Sequence, residues 1–247
     1  MSEIGHRLFG GGQSLGGFSG SFVCLWRRQW VAQEIYFAHY FKIHTLQHLS
    51  VNHAASMAIT LTKGQKINIG LSKISVGLGW TPNEGTGYDF DLDASAFMID
   101  EKRLIPDDNF FVFYGNTDSP DGALHHTGDD PTGGNSAEGD DETIEVDLTK
   151  VDARIVEILF VVTIHEGLVR KQNFGQVRNS YIRIVDDSSG AEIAKYELGE
   201  DFSIEMGIEF GRLYKRDNKW KFEASGIGYK EDLAFFLAKY FKGQIIK

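Results

Sequence analysis

From Met57 onward, apolar residues recur mostly at every second position. Ile59 and Leu61, then Ile67, Ile69 and Leu71, alternate with polar neighbours. Such alternation marks strands that turn one face to a core. Val76 to Trp80 is a further strand, ended by Pro82 and two glycines. The series continues at Tyr88 to Ile99, Asn109 to Tyr114, Thr143 to Leu148 and Glu157 to His165. Ser180 to Val185 and Ala191 to Leu198 flank an Asp186-Asp187-Ser188-Ser189-Gly190 turn, and Arg216-Asp217-Asn218 joins Ile204–Lys215 to Lys219–Ala224 as a hairpin. Many short strands separated by turn signals predict an all-β chain, a β-sandwich of two mainly antiparallel sheets with long acidic loops. One segment departs from this pattern. Between Glu231 and Phe241 apolar residues stand at 233, 236, 237, 240 and 241, the spacing of a short helix expected to close one end of the sandwich.

Residues 1–56 read differently. Glycine clusters at Gly10-Gly11-Gly12 and Gly16-Gly17 precede Trp26-Arg27-Arg28-Gln29-Trp30 and an aromatic stretch from Ile35 to Phe41. His6, His39, His44, His48 and His53 share neither helical nor strand spacing and have no carboxylate or cysteine cluster beside them. This extension reads as a poorly ordered leader or as the product of a start codon assigned upstream of Met57. The expected domain is 57–247.

Charge sharpens the picture. The chain carries 25 basic and 35 acidic residues, a net −10. Four basic and two acidic residues fall in 1–56, so 57–247 holds 21 and 33, a net −12. That surface repels phosphate backbones and argues against nucleic acid as a partner. The single cysteine, Cys24, allows no intramolecular disulfide. The strongly apolar run Ile158 to Ile164 is too short for a bilayer, and no convincing secretory signal is present. A cytoplasmic location is expected.

The chemistry concentrates in two acidic segments. In Tyr88-Asp89-Phe90-Asp91-Leu92-Asp93-Ala94 on a strand, Asp89, Asp91 and Asp93 share one face. Carboxylates so close repel one another unless a cation lies among them. From Gly115 to Glu142 a long loop holds eight acidic residues and six glycines, with no Lys or Arg. Loops this long are functional or disordered. Glycine lets backbone carbonyls turn toward a shared centre, and carboxylates add charge, a mixture that suits calcium. Magnesium demands tighter octahedral geometry, and zinc prefers His and Cys. His125-His126 reads as a polar loop element. An EF-hand does not fit: Ala94 stands where that loop needs glycine, and Asp100 where it needs a bidentate Glu.

Asp89-Phe90-Asp91-Leu92-Asp93-Ala94-Ser95-Ala96, Gly128-Asp129 and Gly139-Asp140-Asp141-Glu142 together resemble the TerD family. Leu61-Thr62-Lys63-Gly64-Gln65, Gly77-Leu78-Gly79-Trp80, Phe160 to His165 and Asn179-Ser180-Tyr181 support the resemblance, which runs from about Met57 to the C-terminus. It implies a β-sandwich that binds one or two calcium ions in an acidic pocket and serves resistance to tellurite and related stresses. The implied ligands lie among Asp91, Asp93, Asn116, Asp129, Asp140, Asp141 and Glu142, with Asp89 and Asp130 second. Other tellurium-resistance proteins are the implied partners.

Two other classes compete. A carboxylate-based hydrolase would use an acid pair, but neither a nucleophile elbow nor a phosphate-cradling loop with Lys is present. No enzyme is expected. A calcium-dependent module that docks on membranes or partners would want exposed aromatic or basic residues beside the ion. The acidic loop offers neither, so 57–247 carries no support for membrane association at this level.

Overall fold

The computed structural model describes residues 59–134, 139–198 and 202–243. The reading of residues 1–56 as a leader lies outside them.

Among the described residues, twelve strands form two six-stranded sheets. The first runs β1 (Ile59–Thr60), β10 (Ala191–Glu197), β9 (Arg178–Asp186), β3 (Lys73–Thr81), β7 (Glu142–Asp147), β6 (Leu124–His126). The second runs β2 (Lys66–Asn68), β12 (Lys219–Tyr229), β11 (Gly207–Arg216), β8 (Ile155–Ile164), β4 (Leu92–Asp100), β5 (Phe111–Val112). Pairing is antiparallel except for β1 on β10. This is the expected sandwich. Where one face meets solvent the period of two is visible: along β9, Ser180, Ile182, Ile184 and Asp186 are buried and their neighbours are not. β4 and β8 sit deeper, and nearly every residue on them is buried. The hairpin between β11 and β12 turns on Asp217 and Asn218, with φ of 54° and 56°. These residue types tolerate the left-handed region that a two-residue turn requires. Phe97, Phe160, Phe210, Phe222, Ile74 and Leu78 are among the fully buried side chains of the core.

Three elements differ from expectation. β4 begins at Leu92 rather than Tyr88, so Asp89 and Asp91 precede the strand. The 115–142 segment is not wholly irregular, because β6 lies inside it and pairs with β7, Leu124 opposite Val146. Three residues including two histidines are too short a run for alternation to register. The C-terminal helix, labelled α2 (Leu233–Tyr240) after the helical turn α1 (Gly167–Arg170), lies against the face of the second sheet that carries Phe97, Gly207 and Glu209. A Cβ at Gly207 would stand 2.7 Å from Phe236 Cε2 and 2.8 Å from Glu231 O, so the close approach of α2 needs glycine there.

Antiparallel pairing collects particular strand ends. Leu92 opens β4 opposite Ile164 at the end of β8, and Glu142 opens β7 opposite Leu78 on β3. A hydrogen bond from Ala94 N to Glu142 Oε2, 2.7 Å, joins the two sheets at this end. The acidic residues gather here.

Candidate metal centre

Each of the three cluster members arrives by a different route. Asp93 is the second residue of β4 and is only 3% exposed. Asp91 is held just ahead of the strand, where its carbonyl accepts the His165 amide at 2.8 Å. Asp129 comes from the long loop. There Gly128, at φ 140°, lets the chain reverse after β6, and the Gly128 amide donates to His126 Nδ1 at 3.2 Å. Asp130 then anchors the next turn: its Oδ1 accepts from Thr132 N, Thr132 Oγ1 and Gly133 N at 2.9, 2.9 and 3.1 Å. Gly133, at φ 71°, lies against the Trp80 indole, where a Cβ would be 2.2 Å from Nε1. The turn therefore seats on the sandwich and presents Asp129.

One carboxylate oxygen each from Asp91, Asp93 and Asp129 lies within 4.8 Å of the others. Glu142, 1% exposed, completes the acidic surroundings of Asp93. Its Oε2 takes the Ala94 amide and lies 3.4 Å from His126 Nε2, and its Oε1 lies 3.4 Å from Asp130 N. Because His126 Nδ1 accepts from Gly128, its ring proton belongs on Nε2, facing Glu142.

The electrostatics record crowding. Burial, followed by the charges of Glu142, Asp91 and Asp129, pushes Asp93 up to about 8. Burial also raises Asp91, against the opposing pull of His165 and Arg170, and raises Glu142. Tyr114 is raised by burial and by Asp93, Asp129, Asp91 and Glu142, which places its phenol in the field of the cluster. Among the described residues one Lys or Arg reaches in: Arg170 Nη1 lies 3.3 Å from Asp91 Oδ2 while its Nε bonds Glu166. Thr163, directly opposite Asp93 on β8, has a buried hydroxyl with no hydrogen-bond partner among the described residues. The surroundings are dominated by oxygen, with three or four carboxylates and an unsatisfied hydroxyl on the same strand face, beside one arginine and the His165 ring, whose Nδ1 lies 3.8 Å from Asp93 Oδ2. Their preponderance of carboxylate oxygen suits a hard divalent cation better than zinc, which prefers thiolate and imidazole ligands.

Other expected ligands lie elsewhere. Asn116 closes a turn, donating from Nδ2 to Phe111 O at 2.7 Å and Asn109 O at 3.3 Å. Asp140 receives Arg183 Nε at 2.7 Å and the Tyr181 hydroxyl at 3.1 Å, and it lies over Gly77, whose Cβ would meet its Oδ2 at 1.9 Å. Asp141 Oδ2 accepts the Trp80 amide at 2.8 Å. Asp89 is exposed, and its carbonyl accepts from Gln172 Nε2. Arg170 and Tyr114 escaped the sequence reading. Neither carries a motif, and only the fold brings them to the acids.

A two-sheet sandwich with carboxylates clustered at one end defines a β-sandwich protein with a candidate cation site. The TerD domain family model matches residues 57–240, and the chain belongs to that family. It is 45% identical over 190 residues to General stress protein 16U of Bacillus subtilis (strain 168), covering 74% of this chain and 97% of that protein. It is 42% identical over 189 residues to Tellurium resistance protein TerD of Serratia marcescens, again covering 74% of this chain and 97% of the relative. A crystal structure of a homologue of telluride resistance protein (TerD) from Streptomyces coelicolor A3(2) shares the fold. Its TM-score is 0.57 at 18% identity, covering 68% of this chain and 95% of that one. Among the described residues, no helix is long and apolar enough to cross a membrane.

Proposed function

We propose that this member of the tellurium-resistance and general-stress family binds calcium at Asp91, Asp93 and Asp129, with Glu142 adding charge from behind. It acts as a cytoplasmic binding or scaffold module and not as an enzyme. One observation carries the reading: three carboxylate oxygens lie within 4.8 Å of one another, brought together from β4, its lead-in and the turn that Gly133 seats against Trp80. Proton uptake by Asp93 relieves that repulsion in the absence of metal, and a divalent ion relieves it more fully. Calcium fits better than magnesium because the three groups come from a strand, its lead-in and a glycine-rich turn. This irregular set suits a larger ion that tolerates uneven geometry and takes about six to eight oxygens.

Asp140 and Asp141 are left out of the proposed ligand set because their carboxylates do not join the close group of Asp91, Asp93 and Asp129, and Asn116 because its amide is held in a turn by Phe111 O and Asn109 O. Catalysis finds no support around the acids. Ser95, a hydroxyl close by on β4, is 1% exposed and has no hydrogen-bond partner among the described residues, so none of them is placed to activate it as a base. Calcium would supply charge neutralisation and would tie the 128–134 turn to β4. Partners of this module are expected among other proteins of the resistance system.

Thermal melting of the full chain in calcium and in chelator tests the reading. A ligand that binds only the folded state stabilises it by about 3 kcal/mol at a hundredfold excess over its Kd. An unchanged midpoint at saturating calcium would remove the proposal.

A further inference from the structure

Large apolar side chains on a soluble surface are ordinary when scattered and informative when grouped. Among the described residues, four are more than half exposed: Tyr88 at 67%, Leu168 at 72%, Val169 at 78% and Ile204 at 53%. All four belong to loops at the end of the sandwich that carries the acids. Tyr88 leads into β4, Leu168 and Val169 follow β8, and Ile204 leads into β11. Hydrogen bonds join these loops. Gln172 Nε2 donates to Tyr88 O and Asp89 O at 3.0 Å each, and Phe174 N donates to Glu205 O at 3.0 Å.

The α1 turn is the most pointed part of this surface. Glu166 and Lys171 bracket it, both left-handed with φ of 50° and 55°. Neither residue type favours that conformation, so the surrounding structure holds the turn against its local preference. Gly167 is buried against Ile164, Gln172 and Met206, and this leaves Leu168 and Val169 side by side at the tip. Arg170 then reaches back to Asp91 at 3.3 Å, with its guanidinium 5.6 Å from the centre of the Tyr88 ring. Lys171 is exposed beside it. The aliphatic tip, two cations and an aromatic ring therefore lie beside the carboxylate cluster, of which Asp129 is exposed.

The geometry points to a calcium-dependent docking surface for an anionic lipid membrane, formed by Leu168, Val169, Tyr88 and Lys171 around the Asp91–Asp93–Asp129 site. This rests on the calcium reading above. Three protein carboxylates do not fill the coordination of a calcium ion, and phosphate or carboxylate oxygens of lipid headgroups complete it. Lys171 adds attraction to the same anions, and the adjacent aliphatic pair enters the acyl boundary, which a free phosphate would not reward. The ion also explains the dependence: a domain of net −12 is repelled by an anionic surface until its most acidic end is neutralised.

The experiment is co-sedimentation of the full chain with phosphatidylcholine vesicles, with and without one quarter phosphatidylserine, in calcium and in chelator. Calcium binding is measured separately by calorimetry. Wild-type protein is expected to pellet only with phosphatidylserine and calcium together. Leu168→Ala with Val169→Ala, both at exposed positions and without change of charge, should bind calcium as wild type does yet lose on the order of tenfold in vesicle affinity. Calcium binding without wild-type pelleting overturns the docking surface and leaves the calcium site standing, whereas absence of calcium binding removes both. Equal pelleting by the double variant overturns the role of the turn. Calcium-driven self-association in the absence of vesicles would assign the apolar tip to a second copy of the chain and would likewise overturn the membrane reading.

Discussion

Glu142 accepts the amide hydrogen of Ala94 at 2.7 Å, so the first residue of a strand in one sheet is bonded to the backbone beside Asp93 in the other. The contact is buried on both sides. It fixes the separation between two acids that neither strand alone would bring together, and the fold itself therefore imposes the repulsion that a cation relieves.

Replacing Glu142 by Gln keeps an oxygen for the Ala94 amide and removes one negative charge. Calcium affinity should fall by roughly tenfold while the chelated protein melts higher, because a buried charge has been removed. Calorimetry and a melt in chelator check the pair of outcomes. Unchanged affinity would place Glu142 outside the site's influence.

Asp93→Asn and Asp140→Asn make a matched contrast. The first should abolish most of the calcium-induced stabilisation. The second should leave calcium affinity within about twofold and lower the melting temperature modestly, since a partly exposed ion pair with Arg183 contributes on the order of 1 kcal/mol or less. Loss of calcium binding in Asp140→Asn would return that residue to the ligand set.

Arg170 is the only Lys or Arg side chain paired with the cluster among the described residues. In Arg170→Gln the chelated protein should melt lower, because Asp91 loses its partner. The calcium-induced rise in melting temperature should grow, because the ion then meets a more negative site. A rise no larger than wild type's would show that Arg170 and the ion do not share the charge of Asp91.

The pH dependence of the metal-free protein follows from Asp93. Its folded value, about 8, lies above the roughly 3.9 of an unfolded aspartate, so the folded state holds this proton more tightly. Its contribution to stability is complete below about pH 4 and is lost as pH rises toward 8. In chelator the melting temperature of wild type should therefore fall more across pH 5 to 8.5 than that of Asp93→Asn. Saturating calcium should flatten the wild-type profile. Parallel profiles for wild type and variant would refute the assignment.

Gly207→Ala tests how α2 is seated. The added methyl meets Phe236 and the Glu231 carbonyl below 3 Å, and relief requires the helix to lift. A loss of about 1–3 kcal/mol is expected, with calcium affinity unchanged. Denaturant melts and calorimetry separate the two quantities.

Much of the fold was legible because burial of one strand face writes a period of two into the chain. β9 and the β11–β12 hairpin follow from that pattern and from Asp217-Asn218. Elements at the margins were not. β6 is three residues long and is defined by pairing with β7, and the first residues assigned to β4 are a lead-in held by Gln172 and the His165 amide. The acids of the site were also visible, but not their separation into groups. Asp140, Asp141 and Glu142 are consecutive, but β7 begins only at Glu142, so strand alternation does not set where the two residues before it point. Glu142 faces the other sheet, and Asp140 lies over Gly77 toward Arg183.

Alternation, turn residues and the run of carboxylates are local properties, and from them the chain alone determined an all-β architecture, its acidic character and the TerD resemblance. Which acids meet, that Arg170 enters among them, and that Leu168 and Val169 stand exposed at their rim depend on residues far apart in sequence. Only the tertiary structure decided these, because contact between two sheets is set by register and layer spacing and leaves no periodic trace in either strand.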